Sequence, residues 1–162
     1  MLTKLPVNFV NMGSWGVVGL MVATGVCLAF QAPINAALCT HVGRWESSLI
    51  SFCVGTAALV LLVLLLGDGN LRGARNASGW QFLGGLIGVV VVTATAFAVP
   101  KIGAAGMLVA FVLGQALGAL AIDAGGLLGI PRKPLEWTRL AGLALLVVSV
   151  VLINWKRLDV TK

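Results

Sequence analysis

The sequence predicts an all-α, polytopic integral membrane protein with five transmembrane helices. Two observations lead there. Of 162 residues, 59% are hydrophobic and only 10% charged, against the roughly 25% charged of a soluble domain, and mean hydropathy is +1.05. The apolar residues also fall into five runs, Trp15–Leu38, Ser47–Leu66, Trp80–Val99, Ala104–Ile122 and Trp137–Trp155. Each is near the ~20 residues that cross hydrocarbon as a helix. A single membrane domain over residues 1–162 is expected, and an odd number of spans puts the termini on opposite sides.

Residues 1–14, with Lys4 and Pro6, read as an interfacial lead. The first apolar run is too long for a secretory signal and lacks a small-residue cleavage site, so it is expected to stay as a span. Trp15 is placed as its interface anchor. Ala36-Ala37-Leu38-Cys39 is a poor lipidation box, because Leu38 precedes the cysteine. Cys39–Glu46, with His41, Gly43 and Arg44, is expected to be a tight polar turn. The second span opens with Ser47, Ser51 and Gly55 at four-residue steps, a small face for close helix approach.

Gly67–Gly79 is turn chemistry throughout and predicts a loop. Its Asn76-Ala77-Ser78 matches a glycosylation acceptor, but three residues are too few to carry meaning. The third span contains Gly84, Gly85 and Gly88, then Thr93 and Thr95. Pro100-Lys101-Ile102-Gly103 predicts a hinge so short that the third and fourth spans must be antiparallel neighbours. Gly106, Ala110, Gly114 and Gly118 step by four along the fourth span and form a helix-packing or dimer face. Ala124–Glu136, with two prolines and Arg132-Lys133, is a loop. The fifth span is featureless apart from Ser149 and ends on Trp155 with Lys156-Arg157.

The candidate site rests on polar residues inside the apolar runs. Thr24, Gln31 and Asn35 differ by seven and four residues and so share one helix face. Amides are costly in hydrocarbon unless they find hydrogen-bond partners or face a cavity. This face therefore looks inward, either as glue between helices or toward a solute. Pro33 fits both, since it frees a carbonyl one turn earlier and bends the span. Thr93, Thr95 and Gln115 complete an uncharged set of substrate-path candidates. Such a lining suits a neutral or zwitterionic metabolite, and a bare cation only if an aromatic among Trp45, Phe52, Phe97 and Phe111 helps.

Protonatable groups are scarce. The carboxylates are Glu46, Asp68, Asp123, Glu136 and Asp159, all in loops or at span ends. Asp123 and Glu46 are the candidates for a protonatable role, against the plainer readings of Asp123 as a helix end and Glu46 as a charge at a helix N-terminus. Lys101 is expected to snorkel to the interface. Cys27, Cys39 and Cys53 read as small apolar residues, and a single histidine argues against a metal centre. No nucleophile–base pair or phosphate loop suggests an enzyme. No cofactor is expected, and the scattered positive charge suits a lipid bilayer rather than nucleic acid.

With five spans, Lys4, Arg72, Arg75, Arg132, Lys133 and Arg139 fall on one side, and Arg44, Lys101, Lys156, Arg157 and Lys162 on the other. Six against five is almost no asymmetry, and orientation needs one. Either the chain inserts both ways and assembles as an antiparallel pair, or the charges nearest the spans decide.

The order and spacing of several motifs resemble the YdcZ-like family of bacterial inner-membrane proteins. They are Gln31-x-x-x-Asn35-Ala36-x-Leu38, Gly43, Ser51-Phe52-x-Val54-Gly55-Thr56, Trp80 with Gly84-Gly85-x-x-Gly88, Pro100-Lys101-Ile102-Gly103, Gly114-Gln115, Asp123, and Arg139-Leu140-x-Gly142. The likeness covers about residues 20–155. It implies a multi-pass inner (plasma) membrane protein, a five-helix half unit of the drug/metabolite transporter superfamily. Two such units, as a homodimer or with a homologous half unit, would surround a central path in inverted orientation. The implied activity is secondary export of small metabolites or drugs by alternating access. A dual-topology channel and a non-transporting membrane subunit are the competing readings. Two features depart from the pattern. After Asp123 the family shows His-Phe-Gly where this chain has Ala124-Gly125-Gly126. The small multidrug-resistance relatives carry a glutamate in their first helix, whereas Trp15–Leu38 contains no acid.

Overall fold

A computed structural model describes residues 13–67 and 69–158, and within these the side chains through Trp155. The lead with Lys4 and Pro6, the carboxylates of Asp68 and Asp159, Lys162, and the Lys156 and Arg157 side chains lie outside the described residues. What is described is helical. Four helices are long and apolar enough to span a membrane: α1 (Ser14–Val42), α2 (Arg44–Leu66), α3 (Leu83–Gly125) and α4 (Trp137–Leu158).

Several expected boundaries move. The polar turn expected over Cys39–Glu46 shrinks to one residue, because α1 runs to Val42 and α2 starts at Arg44. Gly43 alone breaks the path, at φ 97°, ψ 169°, a region essentially restricted to glycine. A Cβ there would also stand 2.5 Å from Glu46 Oε2, whose side chain folds back over the turn. Glycine thus replaces a loop. The helices on either side can stay helical to their last residue, and the polar side chains of the expected turn lie on their ends.

The described residues of the Gly67–Gly79 segment are loop, as its composition predicts, with 3₁₀ turns at Leu71–Asn76 and Gly79–Phe82. Asn70 Oδ1 accepts the Arg72 N–H at 3.0 Å, and Ser78 and Gln81 form a reciprocal capping box. That box holds Trp80 in a 3₁₀ turn that leads directly into α3 at Leu83, and the membrane-length run starts at Gly79, next to the expected Trp80.

The hinge expected at Pro100–Gly103 is narrower than a loop. Pro100 lies inside α3 and only Gly103 leaves helical geometry, at φ 75°, ψ 164°. The expected third and fourth spans are two helical stretches, 83–102 and 104–125, that meet at Gly103 within α3. Proline removes one backbone donor without ending a helix whose neighbours still pair, whereas a positive-φ glycine turns the chain itself.

The chain divides into two compact units, Met1–Phe97 and Ala98–Lys162. Among the described residues, the first unit buries Ala32, Ala36 and Ala96 with the polar Asn35, Ser47 and Ser48, and the second buries Met107 with Asn154. The outside is apolar, with Leu64, Leu65 and Phe30 well exposed. Small and polar inside with large and apolar outside is the arrangement of helices solvated by lipid. Hydrocarbon gives no drive to hide leucine, so close packing and hydrogen bonds hold the helices together.

Candidate functional site

The first unit gathers its polar side chains where α1, α2 and α3 meet. The buried Ser47 hydroxyl donates to the Asn35 carbonyl at 2.8 Å, closing the α1–α2 hairpin one turn beyond Gly43. Ser48 Oγ lies 3.2 Å from the Arg44 carbonyl, to which it donates, and 2.8 Å from Thr93 Oγ1, which ties α2 to α3. Phe52 lies against Gly88, where a Cβ would stand 3.3 Å from the ring edge. The Arg44 guanidinium stacks 4.6 Å from the Phe97 ring centroid, a geometry that holds a cation to an aromatic face.

One turn along α2 from this knot, a cleft of about 200 Å³ opens. Gln31 of α1, Ser51, Phe52 and Thr56 of α2, and Val92 of α3 line it. It presents an amide and two hydroxyls, which supply both donors and acceptors. No charged side chain lines it. Gly55 keeps the wall between Ser51 and Thr56 free of bulk.

The structure separates the residues grouped from sequence. Asn35 is buried, with its Nδ2 unpartnered, and sits in the helix-packing knot. Gln31, on the same stripe, is exposed and lines the cleft. Thr24 is exposed and donates to its own helix at Leu20 O, 2.9 Å away. Thr93 joins the knot, while Thr95 donates to the Val91 and Val92 carbonyls of its own helix. Glu46 curls over Gly43 on the exposed end of the hairpin. Of the cleft's polar residues, Ser51 and Thr56 enter through spacing read only as a small-residue face and a motif.

In the second unit, Gln115 is exposed. Asp123 accepts a 3.0 Å ion pair from Arg139 of α4, a partner its place at a helix end did not reveal. Asn154, in a span expected to be featureless, is buried, donates to Val150 O at 2.9 Å and lies against Gly106. Gly106 thus serves packing within the chain, while Ala110, Gly114 and Gly118 are exposed, with nothing near either glycine.

The model of the family described as "Putative inner membrane exporter, YdcZ" matches residues 16–152. The chain belongs to the YdcZ family. As a family member with several apolar, membrane-length helices, it is a multi-pass protein of the bacterial inner membrane. The YdcZ match takes in both the α1–α2 knot and the Asp123–Arg139 pair. No curated protein and no solved structure matches the chain.

Proposed function

We propose that this YdcZ-family protein is a secondary transporter, not an enzyme, exporting a small neutral or zwitterionic metabolite by alternating access. The observation that carries the reading is the first unit's cleft, an uncharged set of hydrogen-bonding groups inside a chain of an exporter family. Its volume of about 200 Å³ lies below the ~300–1,000 Å³ of sites for drug-sized ligands. A small metabolite fits it better than a drug. Gln31, Ser51 and Thr56 hold the solute, and Phe52 packs on its apolar side.

The test begins with purified protein and a panel of amino acids, polyols, sugars and nucleobases, scored by thermal stabilisation. The compound that stabilises is then followed by counterflow in proteoliposomes. Gln31→Leu with Thr56→Val removes two hydrogen-bonding groups, each worth roughly tenfold. Initial rates are expected to fall at least about tenfold with an unchanged unfolding temperature, since both residues are exposed. Wild-type flux in the double variant would sink the assignment.

The working unit we propose is a pair of five-helix copies in opposite orientation. A continuous 43-residue α3 would be ~64 Å long at 1.5 Å per residue, about twice the ~30 Å hydrocarbon core. Read as two spans meeting at Gly103, it makes five. The near-balanced flanking charges then favour neither orientation, and Ala110, Gly114 and Gly118 are free to pack against the second copy. A cysteine added at either terminus of a variant lacking Cys27, Cys39 and Cys53 reports orientation through an impermeant thiol reagent on intact cells. Each terminus is expected to label in about half the molecules, given the charge balance. Labelling of one terminus alone rules out the antiparallel homodimer.

A further inference from the structure

The second unit has a cleft that the transport reading does not use. It measures about 380 Å³ and runs between α3 and α4. Ala116 and Leu120 wall it on one helix, Leu143 and Leu146 on the other, with Gly142 leaving the space between them open. One end differs. There the lining residues are Asp123 and Arg139, joined as an ion pair and both partly exposed.

The loop after α3 brings more charge to that end. Gly126 turns the chain at φ 63°, and the Lys133 N–H returns to donate to the Asp123 carbonyl at 2.9 Å. A Cβ on Gly126 would stand 3.2 Å from Arg132 Cβ. Arg132 and Lys133 are therefore fixed beside the end of α3, and both are exposed. From 123 to 139 the chain carries Arg132, Lys133 and Arg139 against Asp123 and Glu136, so this stretch is net positive. Arg139 has five N–H donors, one of which is bonded to Asp123. The exposed Trp137 sits two residues away, and an indole beside a span belongs at headgroup depth.

An apolar groove in hydrocarbon that leads to a cluster of cations at the interface has the shape and charge order of one ligand class. We propose that this cleft binds an anionic phospholipid, with one acyl chain along Leu120, Leu143 and Leu146 and the phosphate on Arg139, Arg132 and Lys133. Arginine matches a phosphate with parallel hydrogen bonds, and basic residues at the membrane surface favour anionic over neutral headgroups. Asp123 holds the Arg139 guanidinium at the mouth and leaves its other donors for the lipid. The site stands independently of the substrate cleft.

The experiment is native mass spectrometry of the full chain in a neutral detergent, titrated with phosphatidylglycerol or phosphatidylcholine. The wild type is expected to retain one phosphatidylglycerol per chain at about tenfold lower lipid concentration than phosphatidylcholine. Arg132→Gln with Lys133→Gln, both exposed and outside the ion pair, should reduce that preference to roughly threefold or less. Gly142→Leu fills the groove, where a side chain meets no neighbour, and should weaken retention of either lipid about tenfold. Equal retention of the two lipids by the wild type overturns the proposal. So does undiminished retention by Gly142→Leu, and if that variant instead changes the oligomeric state, the groove seats a second copy. Displacement by glycerol phosphate alone would assign the cations to a free phosphate and overturn the lipid.

Discussion

Gly106→Ala is expected to destabilise the second unit by about 2 kcal/mol, although it adds a single methyl group. The reason is Asn154. Its Oδ1 stands where the new Cβ would begin, and its Cγ and Nδ2 lie 3.3 and 3.5 Å from that point. The amide is only 7% exposed, and Nδ2 is bonded to Val150 O. Making room therefore turns the amide off its one hydrogen bond or forces the helices apart. The arrangement also accounts for the oxygen, which is buried and lacks a conventional donor. It faces the Gly106 Cα–H, a weak donor that recurs where helices pack closely.

Thermal or denaturant unfolding in detergent measures the loss, and the double variant identifies its cause. Adding Asn154→Ala to Gly106→Ala removes the obstruction, so the pair should recover to within roughly 1 kcal/mol of the wild type. If Gly106→Ala unfolds like the wild type, Asn154 does not rest on Gly106. If the double variant is as unstable as the single, the cost lies elsewhere than in the overlap.

Gly103→Ala should be comparably damaging for a different reason. At φ 75°, ψ 164° a residue with a Cβ is strained by about 1–3 kcal/mol. The strain is relieved only by moving the backbone. Since Gly103 is the one non-helical residue in α3, its relief would restore helix across the break and abolish the turn between the two stretches read as spans. The expected result is a lower folded yield and a lower unfolding temperature. Gly25→Ala is the control. That glycine of α1 is helical and exposed, with open space around it, so alanine should be neutral or stabilising by up to ~1 kcal/mol. A Gly103→Ala protein as stable as the Gly25→Ala protein would show that the break does not depend on glycine.

The helical, membrane-spanning character was legible because hydropathy is a local sum. Twenty apolar residues make a span wherever they lie in the fold, and the loop at 67–79 announced itself through its glycines and asparagines. Break widths were less legible. The sequence places Gly43 and Gly103 among turn-forming neighbours, and only the backbone shows that one positive-φ residue in each case does what a loop was expected to do.

The sequence by itself determined that this is an inner-membrane protein of the YdcZ family, and which residues are polar within its spans. The tertiary structure decided what those residues meet. Gln31 and Asn35 share a stripe by spacing, yet one lines a cleft and the other is buried against the hairpin. Asp123 and Asn154 found Arg139 and Gly106 on another helix, as Ser48 found Thr93. Periodicity sets the angle at which a side chain leaves its own helix. Which neighbour arrives at that angle, and at what distance, depends on the packing of whole helices, and no local spacing encodes it.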